Sequence, residues 1–105
     1  MKADIIIIGG AGHIGLPLGI LFANKGRSVI LYDKNKKNID LINNSKMPFM
    51  EIGGEKLLKK NKKRIIATSN KEFIIKAKSV IVCIGTPVKK SKPDLKFFLG
   101  KKSSQ

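Results

Sequence analysis

The chain has 105 residues, 42% of them hydrophobic, which bounds it to one domain with a modest core. Its formal net charge of +15 is compatible with a nucleic-acid or membrane partner. Only Arg27 and Arg64 of its 22 basic residues are arginines, however, and the lysines are scattered along the chain. Phosphate and base readers favour the bidentate arginine fork, so we interpret the charge as solvated surface and expect no nucleic-acid partner.

Membrane insertion and cysteine chemistry are also disfavoured. No apolar stretch approaches the about 20 residues that span a bilayer, so we expect no membrane partner. The N-terminal apolar run is short and lacks a small-residue cleavage site, so it resembles a strand more than a signal peptide. The single Cys83 excludes an intrachain disulfide and a cysteine-cluster metal site. A reducing cytoplasm is therefore the expected location, and no metal is expected.

The first third of the chain predicts a strand, a helix and a strand. Asp4–Ile8 is a continuous apolar run before two glycines, which suits a strand buried on both faces. Ile14–Lys25 predicts a helix, with Pro17 near its first turn, where a missing N–H is tolerated. Ser28–Tyr32 is a second apolar run and ends at Asp33. The apolar residues that recur at helical spacing in the helix are Ile14, Leu18, Leu21 and Phe22.

The rest of the chain continues the alternation of helices and strands, which predicts an α/β fold with a doubly wound parallel sheet and helices on both faces. In the dinucleotide-binding, Rossmann-type arrangement the strand order is 3-2-1-4, with the switch point between strands 1 and 4. The predicted elements are helices over Asn35–Asn43 and Glu55–Lys62, a loop over Met47–Gly54, a strand over Ile65–Thr68, helical turns over Lys71–Lys76 capped by Ser69 or Asn70, a strand over Ser79–Ile84, a loop over Gly85–Pro93 and a helix starting with Leu95–Leu99.

The segment Gly10-Ala11-Gly12-His13-Ile14-Gly15 has the spacing G-x-G-x-x-G, follows a predicted strand and opens a predicted helix. We expect Gly10 to permit the tight turn, Gly12 to let the backbone approach a pyrophosphate, and Gly15 to let the helix pack close to the strand. The helix N-terminus, at His13 and Ile14, offers N–H groups and partial positive charge to phosphates. The alternative is a glycine-rich turn that holds no ligand.

An acidic residue follows at a suitable distance. Asp33 lies 18 residues after Gly15, near the about 20 of the dinucleotide-binding fingerprint. Its carboxylate can accept hydrogen bonds from both adenosine-ribose hydroxyls and would repel a 2′-phosphate, which favours NAD over NADP. Lys34, Lys36 and Lys37 weaken that discrimination, because one of them could reach a 2′-phosphate. The alternative is that Asp33 only caps the end of its strand.

These residues also carry a family resemblance. Gly10–Leu18 is similar to the opening G-x-G-Y-V-G-L-P-L of the UDP-glucose/GDP-mannose dehydrogenase family. Asn43–Gly53 is similar to its N-x-G-x-x-P-F/I-x-E-P-G block, and Arg64–Ser69 to R-x-x-A-T-T/S. Val82–Pro87 is similar to C-V-P-T-P, and Lys92–Leu95 to x-P-D-L. The blocks are collinear over roughly residues 3–99, which is more specific than the glycine motif alone.

The resemblance implies an activity and a division of labour. Members of the family oxidise C6 of a nucleotide sugar from alcohol to carboxylate with two NAD, which the N-terminal domain binds. The family's cysteine nucleophile and sugar-binding domain lie beyond the length of this chain, so we expect no catalytic residue and no activity of this chain alone. Cys83 is interpreted as a small buried strand residue. By family position, Thr86 is expected to contact NAD near the nicotinamide ribose; the alternative is an ordinary loop threonine.

The chain departs from the family pattern at several positions. His13 replaces a tyrosine of the glycine loop; a surface histidine is favoured over a pyrophosphate donor. Asn38 stands where many members carry a basic residue that touches the adenosine ribose. Ile52 and Gly85 each replace a proline. These changes suggest a divergent branch of the family or relaxed constraint.

We assign residues 1–99 to an incomplete NAD-binding domain and 100–105 to a polar tail, and interpret the chain as a truncated member. The strand Ser79–Ile84 would then be an apolar sheet edge, and we expect self-association through it. Two other functions stay open: a free-standing dinucleotide-binding module and a lysine-rich nucleic-acid binder. The predicted cofactor contacts are Gly10, Gly12, His13, Ile14, Gly15, Asp33, Lys34 and Thr86.

Overall fold

The computed structural model describes residues 2–83. Ile84, the loop predicted over Gly85–Pro93 with Thr86, the helix predicted from Leu95 and the polar tail lie outside the described residues.

Four parallel strands form one sheet: β1 (Ala3–Ile8), β2 (Val29–Tyr32), β3 (Ile65–Thr68) and β4 (Ala77–Val82). Their order is β3-β2-β1-β4, which confirms the predicted order. The register places Ile7 beside Leu31 on one side and Ile81 on the other, so β1 lies at the centre of the pairing. β4 begins two residues earlier than predicted.

Helices connect the strands. They are α1 (Gly15–Asn24), α2 (Lys36–Asn43) and α3 (Gly54–Lys60), with 3₁₀ segments over Lys62–Arg64 and Lys71–Lys76. Asn35 caps α2 through its side-chain oxygen, which accepts the N–H of Asn38. Asn70 caps Lys71–Lys76 in the same way and is one of the two caps that the sequence predicted.

Different helical segments pack on the two faces of the sheet. Alternate strand residues point to opposite faces. On the face that we call the helical face, Ile7 and Leu31 are fully buried in one cluster with residues of α1, α2 and α3. On the other, which we call the open face, Ile6, Ile30 and Tyr32 pack against the 3₁₀ segment. Helical segments therefore lie on both faces, with the three α-helices on one.

α1 presents a different side to the core than its apolar spacing suggested. Leu16, Ile20 and Ala23 are buried, whereas Ile14 and Leu21 are 48% and 54% exposed. Apolar residues surround almost the whole helix, so the sequence gives little contrast between its sides. Gly19 lies on the side that faces the sheet, where a Cβ would meet the Leu31 side chain.

No helix in the described part of the chain is long and apolar enough to cross a membrane. The same residues contain no group of three or more His, Cys, Asp or Glu side chains that could hold a metal ion.

Candidate functional site: a cleft at the carboxyl ends of the strands

A cleft of about 320 Å³ opens where β1 and β2 end and where the chain leaves β4. Parallel sheets bind ligands at this edge, beside the point where the strand order reverses. The described residues that line it are Ile8, Gly9, Gly12, Tyr32, Asp33, Lys34 and Cys83.

The turn after β1 is tied to the end of β2. The N–H groups of Gly9 and Gly10 both donate to the Tyr32 carbonyl oxygen, each at 2.9 Å. Gly9 has a φ of +86°, in the left-handed region that favours glycine. The left-handed backbone conformation in this turn therefore belongs to Gly9, whereas the motif predicts that Gly10 permits the tight turn.

The three motif glycines are required for different reasons. A Cβ at Gly10 would lie 2.8 Å from the Leu31 Cα and Cβ, so Gly10 lets the turn lie against β2. A Cβ at Gly15 would collide with the Gly9 carbonyl, so Gly15 lets α1 start close to β1. Among residues 2–83, a Cβ at Gly12 would meet only the Gly9 oxygen, at 3.5 Å, which is ordinary contact. Packing within this part of the chain therefore does not require a glycine at this cleft position, and the space there fits a ligand that approaches the backbone.

The start of α1 presents unpaired donors near that space. Ile14 is the N-cap residue and supplies no side-chain cap. Within residues 2–83, the backbone N–H groups of His13 and Ile14 have no hydrogen-bond acceptor. A helix N-terminus with free N–H groups and the positive end of its dipole binds phosphates.

Asp33 lies at the wall of the cleft and is half-buried. Its Oδ2 accepts the Ala11 N–H and its Oδ1 accepts the Asn35 N–H, both at 3.0 Å. The Asp33 carboxylate therefore connects the glycine-rich turn to the residue before α2. Each carboxylate oxygen has a second lone pair, so the carboxylate keeps acceptors for a ribose.

Two further side chains contact the glycine-rich turn. The Asn38 Nδ2 donates to the Ala11 carbonyl oxygen at 3.3 Å. The exposed His13 stacks on Phe49, with ring centroids 4.2 Å apart and an interplanar angle of 18°. Neither contact was predictable from the sequence, because the partners of each contact are far apart in the chain and neither contact follows from a motif.

The remaining predicted residues are placed as follows. Lys34 is exposed and lines the cleft next to Asp33, whereas Lys36 and Lys37 are exposed on α2 and do not line it. Cys83 is buried, as predicted, and burial raises the pKa of its thiol. Its position in the cleft was foreseeable from the strand order, since it follows β4 at the switch point.

Comparisons with known proteins agree with this geometry. Residues 3–101 match the UDP-glucose/GDP-mannose dehydrogenase family, NAD binding domain. Protein CapL of Staphylococcus aureus is 37% identical over 96 residues, which are 90% of this chain and 22% of that protein. GDP-mannose 6-dehydrogenase of Pseudomonas aeruginosa is 34% identical over 89 residues, which are 82% of this chain and 20% of the enzyme.

Solved structures give the same result. The chain is similar to a ternary complex of GDP-mannose dehydrogenase from Pseudomonas aeruginosa, with a TM-score of 0.77 and 32% identity over 90% of this chain and 22% of that one. A UDP-D-ManNAc dehydrogenase from Pyrococcus horikoshii gives a TM-score of 0.76 at 30% identity, over 90% of this chain and 23% of the other. The chain spans about a fifth of the length of the curated relatives it matches.

The strand order, the glycine-rich turn at the switch point and the match over residues 3–101 agree, and they show that the chain belongs to the UDP-glucose/GDP-mannose dehydrogenase family and corresponds to its N-terminal NAD-binding domain.

Proposed function

We propose that the cleft binds the ADP half of NAD, with the pyrophosphate at Gly12 and the start of α1 and the adenosine ribose at Asp33. One observation carries the proposal: within residues 2–83, Gly12 leaves space beside N–H groups that have no acceptor there, in the same cleft as a carboxylate. Gly10 and Gly15 shape this turn without facing the ligand. His13 and Ile14 contribute backbone N–H groups, and Lys34 contributes charge. The proposed contact of Thr86 rests on family position.

We further propose that the chain serves as the cofactor-binding part of a nucleotide-sugar 6-dehydrogenase, which oxidises a C6 alcohol to a carboxylate. Two of the relatives are named GDP-mannose 6-dehydrogenase and UDP-glucose 6-dehydrogenase. Bound NAD supplies a hydride acceptor; this chain's residues bind and orient it. The one cysteine, Cys83, is buried with a raised thiol pKa, which is unsuitable for a nucleophile. We therefore expect no NADH from this chain with NAD and UDP-glucose or GDP-mannose.

NAD titration by calorimetry tests the binding proposal. Gly12→Val fills the space in front of the pyrophosphate, so NAD binding should be lost while the cooperative unfolding transition is kept. Binding that survives this change would place the cofactor elsewhere. A wild-type chain that binds DNA in a salt-dependent manner and gives no heat with NAD would favour the nucleic-acid alternative.

The choice between NAD and NADP depends on two neighbouring charges. The Asp33 carboxylate repels a 2′-phosphate, whereas the exposed Lys34 ammonium beside it attracts one. We propose a preference for NAD. Competition between the two cofactors measures it, and Lys34→Ala should increase the preference.

We also propose that the chain self-associates through β4. Among the described strands, β4 pairs only with β1, and Val80 and Val82 are 52% and 56% exposed. A strand edge of this kind offers unpaired backbone groups to a second chain. Sedimentation at increasing concentration should show association, and Val80→Lys should reduce it.

A cytoplasmic location is proposed as well, on the basis of the free Cys83 thiol.

A further inference from the structure

We propose that Asn38 is a positioning residue for the pyrophosphate, acting through the Ala11 peptides and without contact to the ribose. The inference rests on the proposed NAD function. The Asn38 Nδ2 donates to the Ala11 carbonyl oxygen at 3.3 Å, and the Ala11 N–H donates to the Asp33 Oδ2 at 3.0 Å. Ala11 is 1% exposed, so its N–H and carbonyl oxygen have little access to water, while Asp33 and Asn38 are half-buried.

These bonds close a ring between the turn and the start of α2. The Asp33 Oδ1 accepts the Asn35 N–H at 3.0 Å. The Asn35 Oδ1 accepts the Asn38 N–H, also at 3.0 Å. The bond from the Asn38 Nδ2 to the Ala11 carbonyl oxygen and the bond from the Ala11 N–H to the Asp33 Oδ2 complete the ring. Asn38 is thus the member that connects the helix cap to the glycine-rich turn.

The ring fixes the two peptide units that flank Ala11. The Ala11 carbonyl and the Gly12 N–H belong to the same peptide unit, and that N–H donates to the Gly9 oxygen at 3.2 Å. Asn38 therefore holds the plane of the peptide that enters Gly12, where the pyrophosphate is proposed to lie. A turn fixed before binding loses less conformational freedom when the ligand arrives, which strengthens binding.

Nucleotide fragments separate this role from a contact with the ribose. Asn38→Leu keeps the side-chain size and removes the donor, so ADP and NAD should bind about 3- to 10-fold more weakly, the range of one hydrogen bond. Adenosine has the ribose and no phosphate, so its affinity should stay unchanged. Asn38→Ala is a second variant with the same expected pattern.

Asn43→Leu is the matched control. Asn43 lies in the same helix, and its Nδ2 donates to the Ala67 carbonyl oxygen at 3.1 Å, away from the turn. This variant should lose a comparable hydrogen bond without any change in ADP affinity. In the free protein, amide hydrogen exchange at Ala11 and Gly12 should accelerate in Asn38→Leu and not in Asn43→Leu.

The outcomes separate the two proposals. A wild-type chain that binds neither NAD nor ADP overturns the proposed function and, with it, the role of Asn38. If the wild type binds and Asn38→Leu binds ADP equally well, the Asn38 proposal alone is overturned. An equal loss for ADP and adenosine also overturns it, because that pattern belongs to a ribose contact.

Discussion

The helical face and the open face of the same sheet differ in how completely they are covered. On the helical face, Ile7 and Leu31 are fully buried beneath three helices. On the open face, burial is confined to a small cluster at the centre, while Ile66 on β3 and Val80 on β4 remain about half exposed. The apolar character of a strand residue is therefore a poor guide to its burial, because equally apolar residues lie on both the well-covered and the exposed parts of the sheet.

Truncating a side chain should lower the free energy of unfolding much more on the helical face than on the open face. Leu31→Ala, on the helical face, leaves a cavity among α1 and the strands and should lower the free energy of unfolding by about 2–5 kcal/mol. Val80→Ala, on the open face, should lower it by less than about 1 kcal/mol, because the side chain is 52% exposed. Urea denaturation measures both. Similar losses would mean that the open face is as well packed as the helical face.

Two glycines extend the comparison to the turn. A Cβ at Gly10 points at Leu31, toward the helical face, so Gly10→Ala should destabilise the chain by about 1–3 kcal/mol through overpacking. Among the described residues, a Cβ at Gly12 would make only an ordinary contact with the Gly9 oxygen, so Gly12→Ala should change stability by less than about 1 kcal/mol and act mainly on NAD affinity. Thermal unfolding and NAD titration of the two variants measure whether Gly10→Ala acts on stability and Gly12→Ala on NAD affinity. A Gly12→Ala protein destabilised as much as Gly10→Ala would show that the turn needs both glycines for folding.

The alkylation rates of thiols on the two faces should show the smallest difference. Cys83 is buried with the helical-face cluster, and burial raises its thiol pKa above the ordinary value of 9.0. The reactive thiolate is therefore scarcer at pH 7 than in an exposed cysteine, so alkylation should be slow at neutral pH and become faster in alkaline solution. A Val82→Cys substitution in a Cys83→Ala background places a thiol on the open face and should react faster. Equal alkylation rates would contradict the difference in cover, and NAD should protect only Cys83.

The framework of the fold was predictable because it depends on local patterns. The strand ends near Ile8, Tyr32 and Thr68, the strand order and the Asn70 cap follow from apolar runs, turn chemistry and handedness. The orientation of α1 was not predictable, because its sides are similarly apolar and the close approach of Gly19 to Leu31 is a tertiary contact.

The candidate site divides in the same way. The glycine spacing and Asp33 mark the cleft from sequence alone. The hydrogen-bond partners of Asp33 are not predictable from the sequence. Its bond to Ala11 joins residues 22 positions apart and depends on how the turn lies against β2. The same holds for Asn38, whose bond to the Ala11 carbonyl oxygen joins residues 27 positions apart.

The stack of His13 on Phe49 has a spectroscopic consequence. His13 is the one histidine of the chain, and its ring lies almost parallel to Phe49 with centroids 4.2 Å apart. The aromatic ring current of Phe49 should shift the imidazole proton resonances upfield. Any rearrangement of the glycine-rich turn that moves His13 away from Phe49 would return those resonances toward their ordinary positions, which makes a single imidazole signal a native reporter of the turn.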